Sequence, residues 1–342
     1  MTSPQATREI AAALHAGART ARDGNLYWDR PVLLGPHLYA GTTGIALFFA
    51  AAWNVLGDKT FRDTALRAIA PLRADLHADH PRPLRQPIGG LTGIGSLVYA
   101  LVRIGDLLGE DTLADDARRA AALLLPGRTD TPEEHDVMIG AAGAVLALLA
   151  LDARHPDPLP GGERPLDLAR HYGRRLDAAD SWRIAETFAA AGFCHGRAGI
   201  DTALARLGAR TGDPRPRYKD LPRSWCKGAA GIALAHLDRP ELAAPLLEAA
   251  AAPVLSDTDD LCCGTCGRID VLVHAATTLR EPRHLDQAAD LTDRMLARAR
   301  RNARYALRIT GDPRLFPGLA GIGYTLTRLH APDRVPCVVA LA

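Results

Sequence analysis

Aromatic residues make up only 5% of this 342-residue chain, and lysine occurs at just three positions, 59, 219 and 227. A nucleic-acid interface gathers basic and aromatic residues on one element. Here Arg is interspersed with Asp and Glu and the net charge is only +2, so nucleic acid is set aside as a partner. Long apolar stretches are also missing. Ile45 to Trp53 and Ala144 to Leu151 fall far short of the roughly 20 residues a membrane span needs. Met1 to Thr20 is interrupted by Arg8, Glu9, His15 and Arg19, so it lacks the apolar core of a signal peptide. The expectation is a cytoplasmic protein. In a reducing compartment its six cysteines read as thiols or metal ligands before disulfides. No convincing linker divides the chain: Pro81 to Pro87 and Asp213 to Pro222 read as loops, and residues 1–342 as one domain. With 47% apolar and 23% charged residues, that domain has a large core.

What the chain does have is a repeat. Gly-x-x-Gly steps at Gly41/Gly44, Gly90/Gly93, Gly140/Gly143, Gly196/Gly199, Gly228/Gly231, Gly264/Gly267 and Gly318/Gly321 each open an apolar run. The second glycines are 49, 50, 56, 32, 36 and 54 residues apart, and most of these gaps hold two helices and their connections. Runs such as Val145 to Leu149 suit helices buried on most sides, whereas Lys59 to Leu76, Leu113 to Leu125 and Leu285 to Leu307 are amphipathic. Alternating buried and amphipathic helices predict an all-α fold, an α/α toroid with seven inner helices surrounded by outer ones. Glycine at each inner start lets backbones crowd at one rim, where helix N-termini favour anions and thiolates. Two intervals are short. Asp213-Pro214-Arg215-Pro216-Arg217 cannot be a regular helix, which predicts that the outer ring lacks its fourth helix, and Ile232 to Leu237 is too brief for a full inner one.

Cys226, Cys262 and Cys263 stand immediately before the fifth and sixth glycine steps, so the repeat brings three thiols to one rim. Three soft donors suit Zn²⁺ and leave a fourth tetrahedral position open. His195, just before Gly196, would share that rim as a general acid, and Asp136, four residues before Gly140, would orient or polarise a neighbour. Cys194, Cys266 and Cys337 are not needed to complete the site.

These motifs resemble the lanthionine synthetase C-like cyclases, and more closely the C-terminal cyclase domain of class II lanthipeptide synthetases. The likeness is carried by Leu34-Gly35-Pro36-His37-Leu38-Tyr39, Trp225-Cys226-Lys227-Gly228, Cys262-Cys263-Gly264, Pro317 to Gly323 and Asp333-Arg334-Val335-Pro336. The resemblance implies zinc ligands at Cys226, Cys262 and Cys263, in the subset with Cys-Cys-Gly at the third motif, and catalytic roles for His195 and Asp136. It implies addition of a peptide Cys thiol to dehydroalanine or dehydrobutyrine, giving lanthionine or methyllanthionine. It also points to Arg223, Trp225 and Lys227 as candidate substrate-site residues. Arg223 is shifted by one position from the family's usual arginine, and many members have an aromatic residue or His where Lys227 stands.

A free thiol with a pKa of about 8.5 is only a few per cent ionised at pH 7, so deprotonation by zinc is worth about 2 kcal/mol. Positioning of the sulfur must supply the rest. The partner expected is a dehydrated precursor peptide made by a separate dehydratase or a missing dehydratase domain. The rival reading is a non-catalytic, zinc-binding scaffold for a precursor peptide or a dehydratase. A prenyltransferase-like thiol alkylator is disfavoured by the low aromatic content.

Overall fold

The computed structural model describes residues 3–29, 34–79, 86–126, 134–178, 191–208 and 221–342. Helix α1 (Ser3–Ala16) leads through a small hairpin, β1 (Arg19–Thr20) paired with β2 (Leu26–Tyr27), into a series of inner and outer helices. The first three pairs are α2 (Thr42–Leu56) with α3 (Lys59–Leu76), α4 (Ile94–Leu108) with α5 (Thr112–Ala122), and α6 (Ala141–Asp152) with α7 (Pro165–Ala178). Inner helix α8 (Arg197–Arg206) follows, then α9 (Ala229–Leu234) with α10 (Pro240–Ala251), α11 (Thr265–Leu279) with α12 (Arg283–Asn302), and α13 (Leu319–His330), which packs on α1. The inner helices pack each on the next, and α13 returns to α2, so the ring closes. This is the expected α/α toroid. The expected loss of the fourth outer helix falls on residues 209–220, outside those described.

Burial follows the pattern in the sequence. On α6, every residue from Ala141 to Leu148 is buried, so this helix has no solvent face. On α12, the buried residues are His284, Ala288, Leu291, Thr292, Met295, Leu296 and Ala299, a stripe at helical spacing with Arg and Asp opposite. As expected, α9 is short.

Each inner helix is capped by a glycine in extended conformation: Gly41, Gly93, Gly140, Gly196, Gly228, Gly264 and Gly318. The second repeat departs from the expected glycine step. In the second repeat the cap is Gly93, the third helical position is Ser96, and Gly90 packs instead against the backbone of Gly143 in the first turn of α6. The second glycine of a step is needed because a carbonyl lies where its Cβ would be: that of Trp225 at Gly231, and that of Leu261 at Gly267.

The residues two positions before the caps form a closed circuit of backbone hydrogen bonds. The N–H of Tyr39 donates to Leu91 (2.9 Å), Leu91 to Met138 (3.3 Å), Met138 to Cys194 (3.2 Å) and Cys194 to Cys226 (3.3 Å). Cys226 then donates to Cys262 (3.2 Å), Cys262 to Phe316 (3.2 Å) and Phe316 back to Tyr39 (3.0 Å). The seven loops are thereby held in register, each satisfying a donor its neighbour's carbonyl can reach. Beneath them the ring is filled by residues 335–342. Val338, Val339 and Ala340 are fully buried, and Trp225 Nε1 donates to the Val339 carbonyl at 2.9 Å.

Candidate metal centre

The loops before α9 and α11 are neighbours in this circuit, and they bring together the three cysteines singled out in the sequence. One sulfur each from Cys226, Cys262 and Cys263 lies within 4.8 Å of the others, and Cys262 and Cys263 are 3.5 Å apart. Four ligands about 2.3 Å from a tetrahedral zinc stand about 3.7 Å from one another, so the cluster fits such an ion with little rearrangement. Its donor set is soft, as zinc prefers. Cys226 is buried, while the other two are half-buried and reach the surface. The Asp260 carboxylate accepts from the N–H of Cys263 (2.8 Å) and of Gly264 (3.2 Å), which fixes the turn carrying the third thiol.

Crowding divides the protons unevenly. Hydrogen bonding with Cys194 and burial push the Cys226 thiol up, and sharing with Cys226 and Cys263 does the same to Cys262. Cys263, accepting from both, is held down to about 3, with Arg308 and Lys227 also favouring its thiolate.

Beside the cluster, His195 Nδ1 lies 2.7 Å from Asp136 Oδ2, and Asp136 Oδ1 accepts from the N–H of Ile139 at 2.8 Å. The carboxylate side chain is 14% exposed and the imidazole 39%. With Nδ1 engaged by Asp136, Nε2 is the nitrogen left to meet an incoming molecule. Asp136 thus holds the ring's orientation, and it faces His195 rather than the thiols.

A family profile described as Lanthionine synthetase C-like protein matches residues 33–223 and 213–340. The chain belongs to the lanthionine synthetase C-like family. Among solved structures it is similar to nisin cyclase, with a TM-score of 0.59 at 16% identity, covering 89% of this chain and 92% of that one. A looser match is a cellobiose 2-epimerase from Bacillus thermoamylovorans B4167, with a TM-score of 0.49 at 11% identity, covering 95% of this chain and 98% of that one. No curated protein matches the chain by sequence.

Within this lanthionine synthetase C-like fold, Arg223 and Lys227 are exposed at the same loop as Cys226. Trp225 is placed otherwise. It is fully buried, packed between Phe193 (5.8 Å) and Phe316 (5.1 Å), so the candidate substrate contact is a core residue that anchors the loop on the C-terminal segment. The residue three positions before the cap is buried in the other repeats too, as Leu38, Val137, Phe193, Leu261 and Leu315 show. Sequence reasoning also passed over Tyr39. Its ring stacks on Phe316 at 5.0 Å, and burial and a hydrogen bond with Cys262 push its hydroxyl well above the ordinary phenol range. The signal was present: Tyr39 stands two residues before Gly41, the offset of Cys226 from Gly228 and of Cys262 from Gly264.

Proposed function

We propose that this protein is a zinc-dependent cyclase that joins a cysteine thiol of a peptide to a dehydroalanine or dehydrobutyrine of the same peptide. Family membership supports the reaction class. The observation that carries the reading is the meeting of three thiols with a carboxylate-oriented histidine at one rim. Cys226, Cys262 and Cys263 would hold the metal, which when bound supplies a Lewis acid that keeps a fourth, substrate sulfur as thiolate.

The protein's own groups do the rest. His195, held by Asp136, carries a proton on Nε2 in its charged form and delivers it to the α-carbon after attack at the β-carbon. Asp136, bound to Nδ1, prevents the ring from turning away. Cys263 as third ligand makes the protein's donor set more negative by one charge than a site with histidine there, so the bound substrate sulfur is the more electron-rich. The Cys263→His variant should cyclise more slowly across a set of peptides, and equal or faster rates on all of them would refute that point.

The test joins metal analysis to mass spectrometry of a dehydrated, cysteine-containing peptide after thiol alkylation. The expected outcome is about one zinc per chain and zinc-dependent loss of free peptide thiol. His195→Asn should keep its zinc and lose on the order of 10²-fold to 10⁴-fold in rate. A zinc-loaded wild type that leaves the thiols free would replace this reading with a peptide-binding scaffold. A protein that takes up no zinc would refute the metal site.

A further inference from the structure

Building on the cyclase reading, the register of the rim loops assigns a role to Lys227. Cys194 donates its N–H to Cys226 and Cys226 donates to Cys262, so the loops before α8, α9 and α11 run side by side in step. The residues that follow these three are His195, Lys227 and Cys263. Lys227 therefore stands between the proton-donating imidazole and the outermost thiol of the cluster.

Three further observations bear on it. Lys227 is exposed, so its ammonium is free to meet a bound peptide. A Cβ at Gly192 would strike the Lys227 Cα and the Cys226 carbonyl, so the base of the side chain is pressed against the loop that carries His195. Among the described residues no carboxylate pairs with Lys227, whereas Asp136 is committed to His195 and Asp260 to the Cys263 turn. A cation with no carboxylate partner among the described residues, set between nucleophile and acid and close enough to favour the Cys263 thiolate, faces the place where charge appears during the reaction.

We propose that Lys227 is a catalytic residue whose ammonium binds the carbonyl oxygen of the dehydroamino acid and stabilises the enolate. In the addition, the S–Cβ bond forms and the Cα=Cβ π bond breaks. Its electron pair moves onto Cα and the carbonyl oxygen. The proton lost by the thiol is matched by the one His195 delivers to Cα, and nothing is oxidised or reduced. The ammonium neutralises an oxyanion absent from the ground state, so it raises kcat and leaves KM little changed. A lysine suits this task because its charge is compact and its stem can follow the carbonyl as rings of different size are closed.

The experiment compares wild type, Lys227→Met and Lys227→Arg on one dehydrated peptide, with zinc content and melting temperature measured alongside. The expected result is a kcat loss on the order of 100-fold for Met, KM within about three-fold, unchanged zinc and melting, and recovery of most of the rate by Arg. A Met variant with wild-type kcat would overturn the assignment while leaving the cyclase reading intact. So would a loss confined to KM or explained by lost zinc. A zinc-loaded wild type with no cyclisation would overturn both readings together.

Discussion

The two ends of the inner ring handle charge in opposite ways. At the helix N-termini the polar groups are reachable and incompletely matched: three crowded thiols, a 39% exposed imidazole, and cations at Arg223, Lys227 and Arg308. Toward the helix C-termini several of them are buried and paired with the chain itself. Arg328, 2% exposed, donates to the Asp270 carboxylate at 2.9 Å and to the backbone carbonyls of Asp270 (2.8 Å) and Val335 (3.2 Å). Tyr324 donates to the Pro336 carbonyl at 2.8 Å, and Arg206 to that of Ala340 at 2.9 Å. The far end uses polar groups to bind the C-terminal segment into the ring, and the rim leaves them available to a ligand. A buried charge satisfied on every side holds shape, whereas thiols pressed together and half-exposed await a partner.

If that contrast is right, substitutions at the two ends should separate chemistry from stability. The largest effect belongs to Cys262→Ala. With two thiols left, zinc content should fall to near zero and cyclisation by at least about 10³-fold, while the melting temperature measured in chelator stays close to that of metal-free wild type. A metal-free protein that melts much lower would show that the thiols also hold the fold. Next comes Asp270→Asn, which strands the Arg328 guanidinium in the interior and should cost about 3 kcal/mol in denaturant unfolding without loss of zinc. Coupled loss of zinc would break the separation. Smaller again is Gly231→Ala, where a methyl would collide with the Trp225 carbonyl and with Phe193 Cβ at 2.9 Å. About 2 kcal/mol is expected, together with weaker zinc binding, because the displaced residue precedes Cys226.

The sequence shows the rim far better than the far end, and the reason is distance along the chain. A glycine cap and the residues just before it are local, so the positions of Cys226, Cys262, Cys263, His195 and Asp136 follow from their offsets. Helix α3 occupies Lys59–Leu76, the span expected from its apolar spacing. Trp225, which the family resemblance makes a candidate substrate-site residue, lies in the core; its offset from the cap does not say which way it points, and its burial follows only from comparing all seven loops. Both glycines of Gly90-x-x-Gly93 are structural, Gly90 against Gly143 and Gly93 at the helix start, so the step alone does not say which of them opens the helix. The far end depends on contacts across the whole ring, such as Arg328 with Asp270, which no pattern in either helix reveals. Arg268 is similar: it looks like a surface arginine, yet it is fully buried and donates to the carbonyls of Ala250, Ala252 and Val254 at the end of α10.

The smallest expected effect tests the far end through pH. His274 lines a cavity of about 350 Å³ whose wall also includes Arg103, Arg328 and Arg334. Burial lowers its pKa to about 3, and the charges of Arg328 and Arg206 add to that. In the unfolded chain the imidazole titrates near its ordinary value of 6.5. Between these values the unfolded state binds the extra proton, so stability is full above pH 6.5 and falls as the pH drops toward 3. At pH 4.5 the loss from this group would be about 2.7 kcal/mol for a fully shielded ring, and about 1 kcal/mol for one that is only half-buried, as His274 is. His274→Gln should remove that part of the decline while leaving stability at pH 7.5 nearly unchanged. Denaturant midpoints of the metal-free proteins across this range check it, since zinc release from the thiols would otherwise contribute its own pH dependence. Curves for wild type and variant that descend in parallel would mean that His274 accepts a proton without opening the ring, and that the cavity end is more open to water than its paired charges imply.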